Sequence, residues 1–229
     1  MLARTLCFAL QGVEGQPVHV ETDVSSGLNT FTIVGLPDAA VRESRDRVTG
    51  ALRNSGFAMP AGRVTVNLSP ADLRKEGAAF DLPIAVSIIA ASRQAAMPAL
   101  PHTLLLGELS LDGSLCPVRG ALSMVIAACQ RGVESVILPA ENGAEVQSLT
   151  GMLIYPARSL AEAVGHLSGK IPLSAQVQTA YDDCLSQSVP ALDLALVRGQ
   201  QGARRALEIA AAGGHNLLMI GVPGRGQTM

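Results

Sequence analysis

Two stretches in the first third of the chain alternate apolar and polar residues with period two: Pro17-Val-His-Val-Glu-Thr-Asp-Val24 and Arg63-Val-Thr-Val-Asn-Leu68. That is the pattern of strands with one buried face. A further strand is predicted over 2–11, with a turn through Gly12–Gly15, and another over Thr30-Phe-Thr-Ile-Val34, closed by Gly35. Between these the spacing becomes helical. Val41, Val48, Ala51 and Leu52 share one face, Asp38 stands at the cap position and Gly56 ends the helix. The pattern reads as strands around one helix, with hairpin-like connections.

A long loop from Ser69 gathers charge, Gly and Pro. Asp81 is placed to cap the helix that follows, and Pro83 suits a first helical turn. That helix, 82–96, is apolar nearly all round, which predicts a central position. Next come a strand over 103–107 and a two-residue hairpin turn at Asp112-Gly113 between 108–111 and 114–118. A helix over 120–131, a strand over 135–138, a short helix over 140–147, a strand over 152–155 and a helix capped by Ser159 complete an α+β domain, 1–168. From 169 to 190 the composition turns to Gly, Ser, Gln, Asp and Pro, which predicts a flexible, exposed linker. An Ala- and Leu-rich helix over 203–212 then leads through Gly213-Gly214 to a short apolar run, Leu217–Ile220, of the kind that makes a buried strand.

Composition narrows the function classes. The chain has 229 residues, 48% of them hydrophobic, only 3% aromatic and none Trp, so its core is built from Ala, Val, Leu and Ile. The net charge is −2, which gives no global basic field for nucleic acid. Arg42, Arg45, Arg47 and Arg53 could form a local patch, but Glu43 and Asp46 dilute it, and a solvated helix face is the plainer reading. Cys7, Cys116, Cys129 and Cys184 are far apart, and His19, His102, His166 and His215 show no ligand spacing, so neither metal nor disulfide use is expected. The N-terminus lacks the long apolar run of a signal peptide, and no stretch is long enough for a membrane span. A cytoplasmic location is expected.

The apolar run 217–220 opens into Gly221-Val-Pro-Gly-Arg-Gly-Gln-Thr228, the frame of a phosphate-binding loop, G-x-x-x-x-G-K-[ST]. Gly221, Gly224 and Gly226 would let backbone N–H groups converge on phosphate oxygens. The lysine position holds Gln227, which can donate a hydrogen bond to phosphate but brings no charge. Thr228 would hold Mg²⁺ through its hydroxyl in a complete site. The chain ends one residue later, at Met229, so the expectation is a shortened piece of a longer gene product that binds nucleotide very weakly and does not turn over ATP.

Three segments carry a resemblance: Phe31-Thr-Ile-Val-Gly-Leu-Pro-Asp-Ala-Ala-Val-Arg-Glu-Ser-Arg45, Val64–Leu68, and Arg74-Lys-Glu-Gly with Phe80-Asp-Leu-Pro83. They are similar to the N-terminal part of the magnesium-chelatase-like AAA+ family. Val197–Gln200, Arg205–Asn216 and the loop after them resemble the start of that family's ATPase domain, which places its beginning within 191–229. The resemblance implies that 1–168 has the fold of the Lon proteolytic domain (ChlI-type), the ribosomal S5 domain 2-like α+β class. It implies ATP and Mg²⁺ as cofactors of the full-length motor, self-association into a ring, and DNA processing such as branch migration in natural transformation. No membrane partner is implied. An alternative is a non-enzymatic interaction and assembly module on the Lon-like fold.

The same resemblance allows a test for peptidase chemistry. In Lon-type peptidases the nucleophile lies in a loop before a helix, and that position falls here on Ala79. The base lies at a helix start after a hairpin, and that position falls on Leu122. A hydroxyl nucleophile needs an oxygen and a base, and neither is present. The expectation is no catalytic residue. Ser69, Ser87 or Ser123 combined with Lys75 is the residual possibility, with Lys75 and Glu76 read as an exposed, solvated pair.

Overall fold

β1 (Leu2–Gln11) and β2 (Glu14–Ser25) pair antiparallel along their whole length, from Leu2 opposite Asp23 to Gln11 opposite Glu14. β4 (Arg63–Ser69) continues the antiparallel pairing on the far side of β2. β3 (Thr30–Val34) lies parallel to β4, so the connection between them is a crossover through α1 (Ala39–Asn54) and not a hairpin. Period-two alternation fixes which face of a strand is buried but carries nothing about strand direction, and the sequence pattern therefore misses this crossover. The computed structural model describes residues 1–179 and 194–221. They fall in two units, Met1–Ala180 and Tyr181–Met229.

On the other side of β1 the sheet is parallel: β5 (Thr103–Leu105), β8 (Ser135–Pro139) and β9 (Leu153–Ala157) follow in that order. The seven strands run β3-β4-β2-β1-β5-β8-β9, a mixed sheet with helices, in agreement with the expected α+β class. β5 and most of β8 are buried, as parallel strands covered on both faces require.

The two faces of the β1–β2 hairpin take different helices. Thr5 Oγ1 donates to Pro83 O at 3.1 Å, and the hydroxyls of Thr22 and Ser87 are 2.6 Å apart, so this face meets α2 (Asp81–Ala91). Phe8 points the other way, toward α3 (Ala121–Gln130), with the Arg131 guanidinium 5.7 Å above its ring. Gly15 lets α3 approach: a Cβ there would stand 2.8 Å from that of Ala127. α2 is buried at every position from Asp81 to Ile89, as its apolar sequence predicts. Each of its Ile and Leu side chains contributes roughly 1.5–3 kcal/mol by leaving water. The helix ends at Ala91 rather than at 96, because Arg93 takes a left-handed φ of 58°.

Beyond α3, β2 and β4 leave one face open. Arg4, Glu21 and Asn67 lie in line across β1, β2 and β4, and Glu21 accepts from both neighbours, at 3.1 Å from Arg4 Nε and 3.1 Å from Asn67 Nδ2.

The expected hairpin is present as β6 (Glu108–Leu109) and β7 (Leu115–Cys116). Its loop has three residues, Leu111-Asp112-Gly113, closed by Ser110 N–H to Ser114 O at 3.0 Å, with Gly113 at φ 87°. A Gly in the left-handed region after Asp serves this longer loop as well as the two-residue turn that the sequence suggested. α4 (Gly143–Val146) and α5 (Leu160–Leu167) complete the unit. Ser159 Oγ caps α5 as expected, accepting from Glu162 N–H at 3.2 Å.

Within the stretch expected to be an exposed linker from 169, the described residues hydrogen-bond to the rest of the first unit. Gln176 N–H donates to Ile154 O at 2.8 Å, its side chain donates to Gly143 O at 2.8 Å, and that of Gln178 donates to Met152 O at 2.7 Å. β9 is an edge strand, and the backbone amide of Gln176 meets its Ile154 carbonyl while the two Gln side chains reach carbonyls outside the strand.

In the second unit, α6 (Gln201–Gly213) matches the predicted helix. Leu217–Ile220 does not form the buried strand expected of it: it carries no ladder, and Leu218 and Ile220 are 82% and 89% exposed. A run of four apolar residues becomes a strand only beside a partner, and no described strand pairs with it.

Candidate functional site

A cleft of about 690 Å³ opens where β1 ends, between α1, the loop that enters α2 and the segment that enters α3. Phe8 and Leu10 of β1 form part of its floor, and Ala40, Glu43 and Arg47 of α1 form one wall. Residues 76–79 form the second wall, with Glu108 of β6 beside it, and Arg119 and Met124 close the far side. Ala79, the position matched to a Lon-type nucleophile, therefore lies on this cleft. Leu122, matched to the base, does not line it. Its amide donates to Glu145 Oε1 at 3.1 Å and its side chain packs half-buried on the core.

The loop before α2 is held by its backbone. Gly107 N–H donates to Ala79 O at 3.1 Å, Leu82 N–H donates to Gly107 O at 3.0 Å, and Gly77 N–H donates to Asp38 Oδ2 at 3.2 Å. Asp38 thus does two things, since its other oxygen caps α1 through Val41 N–H at 2.8 Å.

Beneath the loop lies a charge cluster that the sequence pattern misplaced. Asp81 is not the cap of α2: it lies inside the helix, has no exposure, and faces α1. Arg47 Nε donates to its Oδ2 at 2.6 Å and Nη2 to its Oδ1 at 3.1 Å, the two-pronged geometry that makes Arg–carboxylate pairs strong. Ser44 Oγ also donates to Oδ1, and Leu109 N–H donates to Oδ2 at 3.1 Å. The hydrogen bond to Asp81 holds the Arg47 guanidinium protonated beyond its already high ordinary value. Arg47 was read as part of a solvated face, but at position 47 it follows Ser44 by three residues, and both turn toward Asp81.

Lys75 also overturns its expectation. It is completely buried, and its Nζ donates to Pro70 O. Burial pushes its ammonium below the ordinary lysine range, with the Asp72 carboxylate pulling the other way. Its backbone ties the loop to the α1 entry, through Lys75 N–H to Leu36 O at 3.3 Å and Asp38 N–H to Lys75 O at 3.0 Å. The run Arg74-Lys75-Glu76 looks uniformly polar in sequence, yet Arg74 and Glu76 pair in solvent at 3.1 Å while Lys75 points inward.

Among the described residues no hydrogen bond joins Lys75 to a serine hydroxyl. Ser87 is occupied by Thr22 and donates to Ile84 O at 2.8 Å. The lining of the cleft carries charge from Glu43, Glu76, Glu108, Arg47 and Arg119.

Of the phosphate-loop residues, Gly221 is exposed and outside any strand, and Gly224, Gly226, Gln227 and Thr228 lie outside the described residues. Nearby, His215 N–H donates to Ala210 O at 2.9 Å and closes the end of α6, and Arg204 Nη1 donates to Val197 O at 3.4 Å. Among the described residues no helix is long and apolar enough to cross a membrane.

A family profile described as subunit ChlI of Mg-chelatase matches residues 20–142, which include the α1 wall, the Ala79 loop and the entry to α3. A second profile, magnesium chelatase subunit ChlI, matches residues 193–229. The uncharacterised protein YifB of Escherichia coli (strain K12) is 44% identical over 221 residues, covering 96% of this chain and 43% of that protein. Competence protein ComM of Haemophilus influenzae is 42% identical over 222 residues, covering 96% of this chain and 43% of that protein. Lon protease 1 of Sorangium cellulosum is a distant relative, 25% identical over 162 residues, with 66% of this chain and 20% of that protein covered. The chain spans less than half the length of the curated relatives YifB and ComM.

Proposed function

The chain belongs to the family of the magnesium-chelatase subunit ChlI, and from that membership we propose that it is the N-terminal portion of a ComM-like AAA+ ATPase that processes DNA. The observation that carries this reading is the order of the two matches. A ChlI profile over 20–142 is followed by a second over 193–229, which includes the phosphate-loop frame at 221–228. ATP and Mg²⁺ are the cofactors this reading implies, with Gly221, Gly224 and Gly226 around the phosphates and Thr228 toward the metal. Gln227 supplies no positive charge to the β- and γ-phosphates, so the chain binds nucleotide weakly and turns it over negligibly. We further read the first unit as a Lon-like domain of the ribosomal S5 domain 2-like class.

Two measurements test this. Gln227→Lys should raise the affinity for Mg·ATP about tenfold or more, as a charged partner for phosphate does. An unchanged affinity would remove residues 221–228 from any nucleotide site. The gene that carries this sequence, with Gln227→Lys and expressed in a transformable bacterium lacking its own ComM, should restore integration of donor DNA. A stably expressed product that restores nothing would sink the DNA reading.

A second reading, a non-enzymatic interaction module, is favoured by one specific observation: Ala79 sits on the cleft where a Lon-type nucleophile would be. Under this reading the purified chain leaves casein and short peptides uncut.

A further inference from the structure

The cleft beside Ala79 joins an apolar floor to a charged rim. Phe8 and Leu10 are part of the floor, Ala40 and Met124 add apolar surface on the walls, and three carboxylates stand around the mouth: Glu43 from α1, Glu76 from the loop and Glu108 from β6. These differ from the carboxylate below them. Asp81 is saturated by donors and neutralises Arg47. Glu43 reaches Arg47 Nη1 only at 3.9 Å and is 74% exposed. Glu76 pairs with Arg74 in solvent, both side chains mostly exposed. The Glu108 side chain has no hydrogen bond or contact ion pair among the described residues and acts on Arg47 only at longer range. With Arg47 matched by Asp81 and Arg74 beside Glu76 in solvent, Arg119 is the remaining cation of the lining, so the mouth keeps a small negative excess over an apolar floor.

The spacing of these charges selects the ligand. Among the described residues no three His, Cys, Asp or Glu side chains converge closely enough to hold a metal ion. Negative charge spread around an apolar trough suits an elongated cationic chain better than a point ion. A cleft of about 690 Å³ lies within the range of sites that take short peptide segments or molecules of similar size.

We propose that this cleft binds an extended peptide segment of a partner protein, one that carries Lys or Arg beside small apolar residues. The basic side chains meet Glu43, Glu76 and Glu108, and the apolar ones lie on Ala40, Ala79 and Met124. The inference rests on the reading of the cleft as non-hydrolytic.

The test is a fluorescence-anisotropy titration of the full chain with a labelled peptide of repeating Ala, Leu and Lys, against the same peptide with Glu for Lys. The expected result is saturable binding of the Lys peptide alone, weakened by added salt. Glu43→Gln, Glu76→Gln and Glu108→Gln together should weaken it about tenfold or more, as loss of complementary charge does. Ala40→Tyr, which extends the α1 wall into the cleft and removes no charge, should weaken it as well. Circular dichroism melts of both variants accompany the titrations, and the rim residues, being solvent-accessible, should leave the midpoint unchanged. Equal binding of the two peptides, or full affinity in both variants, overturns the proposal. A probe that stays intact and does not bind overturns it too and leaves the non-hydrolytic reading standing. Cleavage of the probe overturns that reading instead.

Discussion

Two Arg–carboxylate clusters sit on opposite sides of the same hairpin, and they differ in everything but chemistry. Arg47–Asp81 is packed between α1 and α2, its carboxylate without exposure and met by donors from an arginine, a serine and a backbone amide. Arg4–Glu21 lies on the open face of β1 and β2, with the arginine side chain 62% exposed. The hydrogen bonds from Arg4, then from Asn67, hold the Glu21 carboxyl below the usual range. In water an exposed pair gains little, because solvent serves each partner almost as well. Out of water the pair itself need not stabilise, but losing one partner is severe, because it leaves the other charge stranded. The first cluster therefore fixes how α1 and α2 pack, and the second decorates a sheet that would form without it.

The largest expected effect breaks the buried side of this comparison. Asp81→Ala should destabilise the chain by about 3–5 kcal/mol, because Arg47 then lacks its counter-charge. Urea unfolding followed by circular dichroism measures it, since the chain has no Trp and only two Tyr. An effect no larger than that of a surface pair would show that the cluster is solvated. Lys75 offers a contrast, being a buried charge without a carboxylate hydrogen bond. Lys75→Ala should cost about 2 kcal/mol through the gap it leaves, whereas Lys75→Met, which keeps the stem and removes the charge, should be neutral or stabilising.

A smaller effect concerns His166. Its Nδ1 accepts from Leu173 N–H at 3.0 Å, its ring lies 4.1 Å from that of Tyr155, and burial lowers its pKa from the ordinary 6.5. The neutral ring is the native form. Its stabilisation is therefore complete above 6.5 and is lost as pH falls below that value toward the lowered pKa. Protection of the Leu173 amide from hydrogen exchange, taken relative to the intrinsic rate at each pH, should fall over that window, and His166→Gln should flatten the dependence. One lost hydrogen bond of this kind is worth about 1 kcal/mol. The smallest effect sharpens the exposed side: Glu21→Gln should cost only about 0.5 kcal/mol and vanish in high salt. Since the folded pKa of Glu21 is lowered, that contribution is present above its ordinary 4.5 and fades as pH falls through the lowered value.

Much of the first unit was legible because burial leaves a period in the sequence. The alternation of 63–68 and the uniformly apolar stretch after Asp81 predicted β4 and a central α2, and both hold. What stayed hidden depends on partners distant in sequence. Asp81 looks like a cap because caps are local, and its true partner lies 34 residues upstream. Lys75 looks solvated because its neighbours are, and the acceptor that buries it, Pro70 O, is a carbonyl without a sequence signature. Leu217–Ile220 shows the reverse failure, with a strand-like composition and no described strand beside it. Of the cleft, the sequence located Ala79 through resemblance but not the meeting of Glu43 and Arg47 with Glu108, which come from two separate elements, α1 and β6, and meet only in the fold.

The paired hydrogen bonds between Gly107 and the loop, one to Ala79 and one from Leu82, act on the main chain alone. A Cβ at 107 would stand 2.6 Å from Leu115 Cδ2, so a side chain there must push the end of Leu115 aside. Such a site separates shape from content. Substitutions on the cleft side of 79 change what the surface presents, while insertions or deletions in the loop would unzip it from the β5–β6 connection. For an engineer, or for descent with modification, this makes the wall a fixed frame with exchangeable panels, open to new chemistry one side chain at a time.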